Sequence, residues 1–169
     1  MEDHSHIREI RRKDRILPAE GMDALLETGE YGFLASCSPN GYPYGIPISF
    51  IRDGNSIYFH CASEGHKIDN FKSNDKASFC VVGKTQVMPD KFTTAYESVL
   101  VSGKIVMDLH DEERRKALRL LVKKYCPDFI EKGEFYMEKS FHRTNVLRLD
   151  IERITGKTKA LNAPSTVKD

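Results

Sequence analysis

The spacing of apolar positions changes period several times along the chain. Pro18-Ala19-Glu20 suits a helix start, Met22, Leu25 and Leu26 give one apolar face, and Gly29 stands where that helix should end. Strand-like runs follow at residues 31–38, 44–51 and 55–61. Pro39-Asn40-Gly41 and Asp53-Gly54 supply tight turns between them, because Asn and Gly tolerate positive φ. These three runs predict an antiparallel meander. Pro47 falls inside the second run, and a proline cannot donate to a ladder, so an edge, a bulge or a ligand should lie beside it.

The period then switches to that of a short helix over residues 64–73, with Ile68 and Phe71 inward. Strands are predicted at 76–83, 85–91 and 95–107, and a helix starts at the acidic run 108–113. Leu118, Leu121, Val122 and Tyr125 form its buried stripe, its Arg and Lys residues form a solvated face, and Pro127 stops it. Residues 129–141 show no clean period. Residues 145–154 alternate Val146, Leu149 and Ile151 with Arg148 and Asp150, which predicts a last strand. One domain is expected over residues 17–157, with loose segments at 1–16 and 158–169. Strands with turn-length links and few helices imply a mainly β protein, an antiparallel barrel with peripheral helices.

Composition narrows the function classes. The chain has 169 residues, 40% hydrophobic and 30% charged, and a formal net charge of +1. A near-neutral balance argues against nucleic-acid binding. No apolar stretch reaches the ~18 residues of a membrane span, and the charged start lacks a signal-peptide core. The four cysteines form no C-x-x-C pair and read as small buried hydrophobes of a cytoplasmic protein. No metal site is expected; His4 and His6 read as part of a solvated tail.

Candidate chemistry gathers at Ser63-Glu64-Gly65-His66-Lys67. The first amides of a helix have no internal partner, and with the helix dipole they favour an anion. Lys67 adds a full charge, His66 a ring donor and Ser63 a hydroxyl, a set that suits a phosphate monoester. A solvated helix start with a surface lysine is the plainer alternative. Pro47 and Ile48 leave backbone groups for a ring's polar edge, while His60, Cys61 and Ala62 make a wall that a planar ring can approach. A planar heterocycle with a phosphate tail fits, and FMN is the leading case, with FAD possible.

The quoted segments together resemble the FMN-binding split-barrel family typified by pyridoxamine 5′-phosphate oxidase, nearest to its nitroimidazole-resistance subgroup. RRKDR (11–15), GFLASCSPNGYPYGIPISFI (32–51), SIYFHCASEGHKIDNFKSND (56–75), AYESVLVSGKI (95–105) and RITGK (153–157) carry the resemblance, in the right order. It implies a six-stranded split barrel that forms a homodimer with FMN at the interface. His66 and Lys67 match the phosphate-binding pair, the segments at Pro47-Ile48 and 60–62 match those lining the isoalloxazine, and Ser98 and Val99 match a strand approaching it. Arg153 and Lys157 match positions near a neighbouring site. His60 resembles the substrate-side histidine, which implies a proton-transfer role. The chain lacks tryptophan and the Arg-rich C-terminal signature of true pyridoxamine-phosphate oxidases, which argues against vitamin B6 oxidation. The implied activity is an FMN-dependent reductase of small acceptors such as nitroaromatics; the alternative is a non-catalytic flavin-binding protein for storage or sensing. A haem-handling barrel would need an axial ligand near the C-terminus, where His142 is the sole histidine.

Overall fold

The structure is a computed structural model that describes residues 9–160. Four helices and seven strands follow in the order α1 (Ala19–Thr28), β1 (Gly32–Cys37), β2 (Pro43–Ile48), β3 (Ile51–Asp53), β4 (Ser56–Cys61), α2 (His66–Ser73), β5 (Lys76–Met88), β6 (Thr93–Val106), α3 (Asp111–Tyr125), α4 (Ile130–Ser140) and β7 (Asn145–Lys159).

All seven strands form one antiparallel sheet in the order β2-β1-β5-β6-β7-β4-β3. β2 and β3 are the two edges of that sheet, yet only Ser49 and Phe50 separate them in the chain. Two residues span only ~7 Å. The sheet must therefore curl until its edges nearly meet, which makes a barrel left open between β2 and β3.

This corrects two expectations. The run at 44–51 is not one strand, because the chain passes from one edge to the other at Ser49-Phe50, and the sheet has seven strands where the resemblance implied six. The three-stranded meander is absent as well: β1–β2 and β3–β4 are hairpins at opposite ends of the sheet, and β5 and β7 take the remaining partners of β1 and β4. Local turn signals specify a hairpin, but they do not report which strands pair across the fold. The predicted strands at 76–83 and 85–91 are one strand, β5, with its register shifted between Val82 and Thr85.

Alternation sends every second residue inward. Leu34, Phe59, Phe79, Val101, Leu147 and Leu149 are fully or almost fully buried in the barrel. Phe79 packs edge-on against Phe50 and Phe59, with ring centroids 4.9 and 5.0 Å away, the geometry aromatic quadrupoles favour. A second, smaller core forms outside the sheet, where α3, α4 and the turn after α4 cover Tyr58 and Val146 with Leu118, Leu121, Met137 and Phe141. Tyr58 donates to Glu113 at 2.9 Å, and Arg148 bridges Glu113 to Asp150, which ties α3 to β4 and β7.

Residues 9–16 are more ordered than expected. Lys13–Arg15 forms a single 3-10 turn, Arg15 is buried, and Ile16 bridges to Lys157. β7 also outruns its predicted end, pairing with β6 as far as Lys159. The rest of the expected loose segments, residues 1–8 and 161–169, lie outside the described residues, as do His4 and His6.

Candidate functional site

The start of α2 is fixed by a short set of polar contacts to the β1–β2 hairpin. Gly65 precedes the helix with φ 125°, a conformation side-chain-bearing residues rarely adopt. The Gly65 carbonyl accepts from the amides of Ile68 and Asp69 at 2.8 and 3.1 Å. No side chain caps this helix. Its leading amides are thus available to an anion.

His66 leans on the hairpin rather than on solvent alone. Its Nε2 lies 3.0 Å from the Ser38 hydroxyl, and its ring sits 4.1 Å from that of Tyr44, tilted by 40°. One turn along, Asn70 is 1% exposed and donates to the Ser36 hydroxyl at 3.0 Å. Ser36 in turn reaches the Tyr44 carbonyl at 3.4 Å. These contacts hold the helix mouth in place from beneath. Lys67 is half-buried, and its charge reaches Cys61: burial pushes that thiol's pKa up, and the ammonium offsets part of the rise.

The other predicted residues fall into separate groups. Strand alternation points His60 and Cys61 to opposite faces. Cys61 packs on the barrel core, whereas His60 lines a cleft of about 390 Å³ between the sheet and the α3–α4 pair. Ser49, Leu118, Tyr136, Met137 and Thr144 share that mostly apolar lining. Partial burial there pulls the His60 pKa below its ordinary value, although part of the ring stays open to solvent. Ala62 and Ser63 are exposed; Ser63 lines a different cleft, of about 320 Å³, with Lys72, Arg114 and His142.

Pro47 sits on edge strand β2 opposite Phe33, which satisfies the rule that a strand proline belongs at an edge. Ile48 turns the other way, against the core. Val99 is 1% exposed, so only its backbone can meet a ligand. Ser98 pairs with Val82 and Lys157. Val82 lies two residues beyond Cys80, which pairs with Phe33, and Phe33 is five residues from Ser38, so about seven steps, or roughly 23 Å at the usual strand rise, separate Ser98 from that contact of the helix mouth. One chain therefore brings together His66, Lys67 and Cys61, and places Ser98 and His60 elsewhere.

The sequence reading missed four supports of the helix mouth: Ser36, Ser38, Tyr44 and Asn70. A polar residue on the inward face of an otherwise apolar strand or helix was the available signal, carried by Ser36 and Asn70. Among the described residues, no group of three or more His, Cys, Asp or Glu side chains is placed to hold a metal, and no helix is long and apolar enough to cross a membrane.

An antiparallel sheet curled into an open barrel, with a helix mouth facing outward beside one hairpin, defines a split-barrel protein. The family profile of pyridoxamine 5′-phosphate oxidase matches residues 18–158, and the chain belongs to that family. Solved structures share the fold at low identity. A candidate 5-nitroimidazole antibiotic resistance protein from Bacteroides thetaiotaomicron superposes with a TM-score of 0.69 at 20% identity, covering 85% of each chain. A FAD and heme binding protein from Mycobacterium smegmatis gives 0.73 at 21%, over 84% of this chain and 71% of that one. A flavocytochrome from Azotobacter vinelandii gives 0.75 at 21%, over 94% and 75%. No curated protein matches significantly.

Proposed function

We propose that the protein is a cytoplasmic, FMN-dependent oxidoreductase that reduces small acceptors of the nitroaromatic class. The observation that carries this reading is the uncapped mouth of α2, with Lys67 beside it and His66 and Asn70 fastening it to the hairpin. A phosphate monoester needs amide donors, a nearby cation and a rigid support, and the α2 amides, Lys67 and the Ser36–Asn70 and Ser38–His66 contacts offer these. The flavin names of two structural neighbours support a flavin as the body attached to that phosphate.

When bound, FMN supplies hydride acceptance and electron delivery, which no side chain here provides. The chain's own residues do the rest. Lys67 and the amides of α2 hold the phosphate. Ser38 fixes the His66 ring, so one imidazole nitrogen remains for the ligand. The His60 cleft, apolar with one titratable ring, suits a small aromatic acceptor that must receive a proton.

The second element of the proposal is a homodimer with the flavin between two copies. The outer face of the sheet carries a cross-strand row of Pro47, Phe33, Cys80, Leu100 and Thr155. Phe33 and Leu100 are 51% and 45% exposed, and Val82 beside them 60%. A clustered apolar patch on a sheet face favours a protein partner. A second copy would also bring Ser98 to a helix mouth that its own chain does not reach.

A visible absorption spectrum of the purified protein, with mass analysis of what heating releases, tests the cofactor. A colourless protein that takes up no FMN in a fluorescence titration would refute the reading. Stopped-flow reoxidation by a nitroaromatic tests the activity; tight flavin binding with negligible turnover would reassign the protein to storage or sensing.

A further inference from the structure

Two segments singled out in the sequence, RRKDR at 11–15 and RITGK at 153–157, are absorbed by none of this. The fold brings them together. Leu17 donates its amide to the Gly156 carbonyl at 2.9 Å and Ile16 bridges to Lys157, which lays the segment before α1 along the end of β7. Together with the start of β6 they enclose a cavity of about 410 Å³.

Its lining is cationic. Arg12, Arg15, Lys157 and Lys159 surround it, with Tyr96 and Thr93 from β6, and among the described residues no acidic side chain lines it. Asp14 engages two of the four cations: Arg12 at 2.6 and 2.8 Å, and the Arg15 Nε at 3.2 Å. Among the described residues, Lys157 and Lys159 form no ion pair, so the lining stays cationic. Arg15 is 9% exposed, and its Nη1 is buried with no hydrogen-bond partner among the described residues. A buried guanidinium nitrogen without an acceptor is unfavourable, since desolvation is not repaid.

The cavity is also larger than one phosphate requires and lies at the lower end of the usual range for small-molecule sites, roughly 300–1,000 Å³. Tyr96 adds an aromatic surface, which accepts a nucleobase by stacking. We infer that this cavity binds the phosphorylated ribonucleoside part of a nucleotide, with Arg15, Lys157 and Lys159 on the phosphates and Tyr96 against the base. It is separate from the α2 mouth. Lys157 lies twelve residues beyond Asn145 along β7, and Asn145 pairs with Cys61 next to that mouth, so roughly 40 Å of strand contour lies between them.

Calorimetric titration of the full-length protein with ADP, and in parallel with pyrophosphate, tests this with or without bound flavin. ADP should bind, and the exposed-side variant Lys157→Ala/Lys159→Ala should weaken it at least tenfold while keeping the wild-type circular dichroism spectrum. Arg15→Lys, which keeps the charge but loses the planar fork, should weaken it as well. Lys67→Ala should leave it unchanged, which separates failure of this site from failure of the flavin reading. Absence of ADP binding, or binding that resists the double substitution, would overturn the inference; pyrophosphate binding as tightly as ADP would overturn its nucleoside part. Slower flavin reduction by NADPH in the presence of ADP, with FMN affinity unchanged, supports the site and identifies the nicotinamide donor as the source of the adenylate.

Discussion

The Tyr125 hydroxyl accepts a hydrogen bond from the Phe50 amide at 2.9 Å and donates to the Glu30 carbonyl at 2.7 Å. The last residue of α3 thereby clamps the point where the chain leaves one sheet edge for the other. Phe50 is fully buried, so its amide has no ready substitute in water. Tyr125→Phe should lower stability by about 1–2 kcal/mol, the penalty for one buried unpaired donor. A urea titration should show a lower midpoint at unchanged slope; an unmoved midpoint would refute the clamp.

Lys67→Ala should weaken FMN binding by about 1–3 kcal/mol, because it removes a charged hydrogen bond to the phosphate. Riboflavin, which lacks the phosphate, should bind wild type and variant equally. A fluorescence titration that shows the same loss for both ligands would point to a structural role for Lys67 instead.

His60→Ala should leave FMN affinity intact and slow flavin reoxidation by a nitroaromatic about 10²-fold or more, the usual contribution of a positioned proton donor. Burial holds this histidine's pKa below the ordinary value, so in wild type the rate should fall as pH rises through a value under ~6.5. A pH profile identical in both proteins would rule out the role.

Phe33→Lys places a charge within the exposed cross-strand row and should convert the proposed dimer to monomer. Sedimentation velocity reads the change directly, and FMN affinity should drop with it. A monomeric wild type would dispose of the interface.

Lys124 provides a pH test of stability. Its ammonium lies 3.8 Å from the Phe50 ring centroid, and Nζ is buried without a hydrogen-bond partner among the described residues. Burial pulls its pKa down to about 8. Between that value and the ~10.4 of an unfolded lysine, the unfolded chain binds more protons, so this residue's penalty fades as pH rises. Lys124→Met should therefore be the more stable protein near neutral pH, by on the order of 1 kcal/mol after allowance for solvent screening. The gap should close toward pH ~10, and chemical denaturation across that range would expose a gap that stays constant.

Much of this was legible in the chain. α1, α2 and α3 followed from apolar spacing and the residues that flank them, and the helix mouth followed from Gly65-His66-Lys67. What escaped was non-local. Nothing in Ile48-Ser49-Phe50-Ile51 distinguishes one long strand from a jump between sheet edges, because both need the same apolar residues. α4 was obscured by Gly133, a poor helix former. Its missing side chain is required here, since a Cβ would lie 2.6 Å from the Val122 Cγ1. Asn70 and Ser36 each look like surface residues by type; only the packed fold shows that they face each other.

The strand order has a consequence for biosynthesis. β4 finds its main neighbour only in β7, whose paired residues lie about ninety positions later. Until the last strand leaves the ribosome, β4 and β6 each keep an open hydrogen-bonding edge, and the barrel interior stays uncovered. Long-range pairing of this kind slows folding and leaves nascent chains prone to aggregate. A polypeptide that stopped before β7 would therefore be a target for chaperones or proteases rather than a smaller working barrel.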